Sequence, residues 1–198
     1  MKRPEAKSKP AFMYTNRLGT TFYLHQGKTK TGKTRYYVAK TLGDGALAAL
    51  PSGFDVSESI NGVVSVRRKR DETNAIPDAD VASVAAELSV HPHLEGYVAR
   101  GEGDAIVVFE PHPRPSELKK LAQMLGAYRP ATFVTERLKR AQYTPVLKFE
   151  RDGASYAVHR MTYRGHGGWS WSLQVGALNV LAKTFLPKVG TDDFFELV

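Results

Sequence analysis

Residues 22–40 read FYLHQGKTKTGKTRYYVAK. On either side of the loop GKTKTGK (27–33) lie TTFYLHQ (20–26) and TRYYVAK (34–40), runs rich in aromatic and β-branched residues. That composition suits strands, and Gly32 supplies the left-handed backbone position that a hairpin loop needs. The segment is therefore expected to be a β-hairpin. Alternation along each strand sends Arg35 and Tyr37 to one face and Tyr36 and Val38 to the other. Tyr23 and His25 likewise oppose Phe22 and Leu24.

Downstream, a second hairpin is expected. FDVSES (54–59) and VVSVRRK (63–69) flank Asn61-Gly62, the dipeptide that most strongly marks a tight hairpin turn. Between the hairpins, Asp44 to Leu50 reads as a helical turn capped by Asp44 and stopped by Pro51. Three amphipathic helices follow. Their apolar residues fall at i, i+3, i+4 and i+7: Val81, Val84, Ala85 and Leu88 after the cap Asp78, then Leu118, Leu121, Ala122 and Leu125, then Leu178, Leu181, Ala182 and Phe185 before Pro187. AIVVFE (105–110) suits a buried strand. PVLKFER, SYAVHRMTYR and WSWSLQV, joined at Asp152-Gly153 and at GHGG, suit an antiparallel meander. In the last of these, Trp169, Trp171, Leu173 and Val175 share the apolar face. Strands in groups followed by helices indicate an α+β fold, with amphipathic helices packed on a mostly antiparallel sheet. Residues 1–10 read as a disordered basic tail, 11–70 as a basic β-hairpin module and 71–198 as the α+β body.

The chain has 198 residues, 28 Lys plus Arg against 20 Asp plus Glu, and no cysteine, for a net charge of +8. That charge is unevenly spread. Residues 1–70 hold 14 basic and 4 acidic side chains, residues 71–130 hold 5 and 10, and residues 131–198 hold 9 and 6. A local field is made by such clustering, so the first segment is the one that attracts polyanions. Zero cysteines exclude disulfides, thiolate metal sites and a cysteine nucleophile. No apolar run reaches the roughly 18 residues a membrane-spanning helix requires. The basic start, MKRPEAKSKPAF, lacks the apolar stretch of a signal peptide, so a cytoplasmic location is expected.

The hairpin carries the sharpest functional signal. One face shows Tyr23, His25, Arg35 and Tyr37 beside a loop bearing Lys28, Lys30 and Lys33, and Arg67, Arg68 and Arg70 at the end of the second hairpin extend the patch. Cations contact phosphates, aromatic rings stack on unpaired bases, and a two-stranded ribbon fits the DNA major groove. The leading expectation is a nucleic-acid-binding protein, DNA or RNA, without catalysis declared by sequence. A plain reading also stands: edge lysines protect a hairpin against strand pairing. Gly27-KTKT-Gly32-Lys33-Thr34 matches a phosphate-binding loop in letters, but the motif must open a helix, and TRYYVAK continues as a strand.

Two other clusters bear on chemistry. His91, His93 and His112 lie near Glu95 and Glu110, yet no ordered ligand spacing appears, so no metal or other cofactor is expected. His159, Arg160, Arg164 and His166, in HRMTYRGHGG, form a possible anion or catalytic site. There His would serve as acid or base and Arg would hold a phosphate ester. That supports an alternative, a nuclease-like enzyme. A third is a protein-binding adaptor that docks a basic partner on the acidic middle segment.

The hairpin, the YRG before GGWSW and the ending TDDFFELV together resemble a family of prokaryotic proteins. Its members carry a YYLHxGxTKTGKxRYY-type hairpin near the start and an FFEL ending. The resemblance brings no activity and no site residue. It counts against the phosphate-loop reading, because the family places Pro where Thr34 stands, and Pro lacks the hydroxyl that Mg²⁺ would need.

Overall fold

The computed structural model describes residues 11–69, 75–162, 168–194 and 196. Among these, four α-helices and ten strands form an α+β fold with three sheets, and every strand pairing is antiparallel. The chain divides into two compact units, Met1–Asp71 and Glu72–Val198.

In the first unit, β1 (Met13–Thr15), β2 (Thr21–Lys28) and β3 (Thr34–Ala39) make a three-stranded sheet in that order. β4 (Phe54–Glu58) and β5 (Val64–Arg68) form the second hairpin. Asn61-Gly62 turns it, with Gly62 at φ +75°. The first sheet's register pairs Leu24 with Val38 and Gln26 with Tyr36 on one face, which also carries Tyr14 and Phe22. This face meets the second hairpin. Tyr36 contacts Phe54 edge to face at 4.8 Å, and the Tyr14 hydroxyl donates to Glu58 Oε2 at 2.7 Å. Leu24 is fully buried.

Residues 44–50 do not form the expected helical turn. They run as a strap across β2, because tertiary hydrogen bonds replace helical ones. Gln26 N donates to Gly45 O, Leu47 N to Leu24 O and Phe12 N to Leu47 O, at 2.8–2.9 Å.

The second unit is a five-stranded sheet in the order β10-β9-β8-β7-β6. These strands are β6 (Val98–Glu102), β7 (Ala105–His112), β8 (Gln142–Asp152), β9 (Ser155–Arg160) and β10 (Gln174–Gly176). As its apolar run implies, β7 is buried from Ala105 to Pro111. Alternation on β8 and β9 turns Leu147, Phe149, Tyr156 and Val158 into a core shared with Val84 and Leu88 of α1 (Asp78–Val90). Leu181 and Phe185 of α4 (Leu178–Phe185) join the same core. Each such buried side chain contributes about 1.5–3 kcal/mol.

Several details depart from the sequence reading. Pro77, not Asp78, occupies the cap of α1, and Asp78 lies in its first turn, where a carboxylate favours the helix dipole. α2 (Pro115–Met124) pairs with α3 (Pro130–Leu138), a helix the periodicity did not announce, since only Val134 of it is buried. WSWSLQV is not one strand. Trp169 makes an isolated bridge with Met161, the strand begins at Gln174, and Trp171 is 94% exposed, so the tryptophans share no apolar face.

Candidate nucleic-acid interface

The β2–β3 hairpin is built outward from a buried base. His25 is only 4% exposed, and its Nε2 lies 3.1 Å from the Thr41 carbonyl. Its ring stacks on its cross-strand neighbour Tyr37, with centroids 5.4 Å apart and planes 19° from parallel. Tyr37 in turn lies beneath Arg35, whose guanidinium carbon is 5.1 Å from the ring centroid. Gly27, opposite Arg35, makes this possible: a Cβ there would stand 3.2 Å from Tyr37 Cε1. Sequence parity thus assigned His25, Tyr37 and Arg35 to one face. It placed His25 at the surface, however, whereas the strap of residues 41–46 covers it.

Beyond this stack the ribbon stands free. Every residue from Lys28 to Arg35 is exposed. The turn is held by its own backbone: Thr29 N donates to Lys33 O at 2.8 Å, Gly32 N to Thr29 O at 2.9 Å, and Lys33 N to Thr29 Oγ1 at 3.1 Å. Gly32 sits at φ +78°, where a β-carbon would be strained. Thr34 pairs with Lys28 inside the ladder and no helix follows it, which removes the context a phosphate loop requires. Among the described residues, Lys28, Lys30, Lys33 and Arg35 enter no ion pair with a carboxylate. The sequence carries no Asp or Glu from Arg17 to Gly43. Their combined field therefore faces solvent uncancelled by local acids.

Tyr23 is half-buried, in register with Met13 and Ala39. Arg67 and Arg68 are exposed on β5. Arg68 lies 6.0 Å over Phe54, the ring that meets Tyr36, so it belongs to the face of β3 opposite Arg35. Arg67 points the other way, directly across from Asp55. Arg70 lies outside the described residues.

The second expected site does not assemble from its described members. His159 and Arg160 are consecutive on β9 and project to opposite faces. His159 is on the face of Lys148 and Glu150: its Nε2 is 3.5 Å from Glu150 Oε2 and its Nδ1 is 3.1 Å from the Ser170 carbonyl. The hydrogen bond from Lys148 holds the Glu150 carboxyl below its ordinary pKa. Lys148 also sits 5.3 Å from the Trp169 ring centroid. Arg160 instead donates from Nη1 to the Phe194 carbonyl at 2.9 Å, tying down the C-terminal segment. Arg164 and His166 lie outside the described residues.

One polar cluster was not visible in the sequence. Glu110, buried at the end of β7, accepts from the Tyr97 hydroxyl at 2.9 Å and from Arg114 Nε. Burial, reinforced by the Glu110 charge, pushes the Tyr97 hydroxyl well above its ordinary pKa. His112 borders the cluster, its Nε2 lying 4.0 Å from Glu110 Oε2 and 2.7 Å from Thr144 Oγ1. His91 pairs with Glu87 at 3.3 Å rather than with Glu95. Glu95 is bound by Lys119 at 2.6 Å. No spacing rule joins Tyr97, Glu110 and Arg114; only the strand pairing of β6 with β7 and the start of α2 bring them together.

Comparisons with protein-family models, with curated proteins and with solved structures return no match, so the reading of this interface rests on its own geometry.

Proposed function

We propose that this protein binds nucleic acid through the β2–β3 hairpin. The observation that carries the reading is the exposed arm Lys28–Arg35, whose four cations lack carboxylate partners among the described residues and stand on a backbone fixed by its own turn. Phosphates are the abundant polyanion that such a row of separated cations matches. Pre-ordering of the arm lowers the entropy that binding must overcome. Arg68 on the adjoining hairpin adds a fifth cation beside β3. The stack of Arg35, Tyr37 and His25 acts as a positioning device that holds the arm's root. Nothing in this reading calls for catalysis.

A titration of labelled nucleic acid at several salt concentrations tests it. Neutralising about four phosphates predicts that log K falls with log salt at a slope near −3 to −4. A slope near zero, or no binding at low salt, defeats the proposal.

A further inference from the structure

We infer that the hairpin takes duplex DNA by entering its major groove, and that it does not hold unpaired bases by stacking. The inference rests on the nucleic-acid reading above and narrows its substrate. A single-strand binder needs aromatic rings with a free face, each worth about 1–3 kcal/mol per stacked base. The rings of this hairpin are engaged in contacts within the protein, and among them only Tyr37 is exposed. His25 is buried and stacked on Tyr37; Tyr37 lies under Arg35 and is 37% exposed; Tyr36 meets Phe54 edge to face. Tyr23 is half-buried between Met13 and Ala39 in the sheet register.

What the hairpin does offer is shape and charge. From Lys28 to Arg35 the turn and the strand ends that flank it are exposed, so the tip of a two-stranded ribbon faces solvent. The B-DNA major groove, about 12 Å wide, admits such a ribbon, whereas the corresponding groove of A-form RNA is too deep and narrow. Strand alternation distributes the cations as well. Arg35 lies on the face of Tyr37, while Lys28 belongs to the opposite face with Gln26 and Tyr36. Cations on both faces of one ribbon can reach phosphates on both walls of a groove. A single strand laid along one face would meet fewer of them.

The full-length protein is titrated, at one salt concentration, into three labelled probes of equal length: duplex DNA, one of its strands, and duplex RNA of the same sequence. The expected result is duplex DNA bound about tenfold or more tightly than either other probe. Strand or duplex RNA binding equal to or tighter than duplex DNA overturns the inference while leaving the nucleic-acid reading intact. Binding to none of the three retires that reading and the inference with it. Arg35→Ala, at an exposed position, adds a second readout. Removing the guanidinium from over Tyr37 should weaken duplex binding about threefold or more and leave strand binding no tighter. A rise in strand affinity would mean that the uncovered ring stacks on bases, against the inference.

Discussion

The Asn16 side chain donates from Nδ2 to the Gly62 carbonyl at 2.7 Å, so the turn after β1 is clasped to the turn of the second hairpin. Its Oδ1 meanwhile accepts from Leu18 N at 3.1 Å and Thr20 N at 2.8 Å. Asn16 is 6% exposed, and this one amide organises two turns at once. Asn16→Ala leaves a buried carbonyl and two backbone amides without their partner. A loss of about 2–4 kcal/mol is expected in denaturant unfolding. An unchanged midpoint would mean that the clasp carries no stability.

The strap over β2 depends on a close approach. A β-carbon on Gly45 would stand 2.8 Å from the Gln26 carbonyl oxygen, which is backbone and cannot swing aside. Gly45→Ala should destabilise the first unit by about 1–3 kcal/mol. It should also uncover His25 by displacing residues 41–46, giving faster hydrogen exchange at Gln26 and Leu47. Exchange rates matching the parent protein would contradict the account of the strap.

In the second unit, the buried Glu110 carboxylate is held by Tyr97 and Arg114. Glu110→Ala leaves both donors unpaired and should cost about 2–4 kcal/mol. Tyr97→Phe removes a single neutral donor and should cost about 1–2 kcal/mol. The two variants are compared by thermal unfolding, and the order of their losses is the test.

Tyr156 supplies a pH prediction. Its hydroxyl donates to Asp80 Oδ2 at 2.5 Å, and burial, with the Asp80 charge behind it, pushes its pKa up to about 12 from the ordinary 10.0. A group whose folded pKa is raised contributes stability in full below its unfolded pKa and loses it as pH rises towards the folded value. The stability difference between the parent protein and Tyr156→Phe should therefore be constant below pH ~10 and shrink between about 10 and 12. A difference that stays flat through that window contradicts the assignment.

Most of the fold was legible because its signals are local. Asn61-Gly62, the alternation in PVLKFER and the i, i+3, i+4, i+7 stripes each specify an element without reference to the rest of the chain. The misses have physical causes. Residues 44–50 obey tertiary hydrogen bonds to β2 rather than their own capping pattern, and α3 buries too little to leave a stripe. At the site, parity placed Arg35, Tyr37 and His25 on one face, since alternation is a property of the strand itself. The burial of His25 was not legible, because it depends on a strap arriving from residues 41–46. The divergence of His159 and Arg160 followed from the same parity once β9 was known to be a regular strand.

The claim that the hairpin arm is the nucleic-acid contact is tested most directly by one double substitution. Lys30→Ala with Lys33→Ala changes two exposed turn residues and leaves the Thr29–Lys33 backbone bond available. Affinity for a labelled DNA duplex is measured for the parent and the variant at the same low salt. The account predicts a loss of about tenfold or more and a salt slope shallower by about two. Equal affinity with an unchanged slope would contradict it.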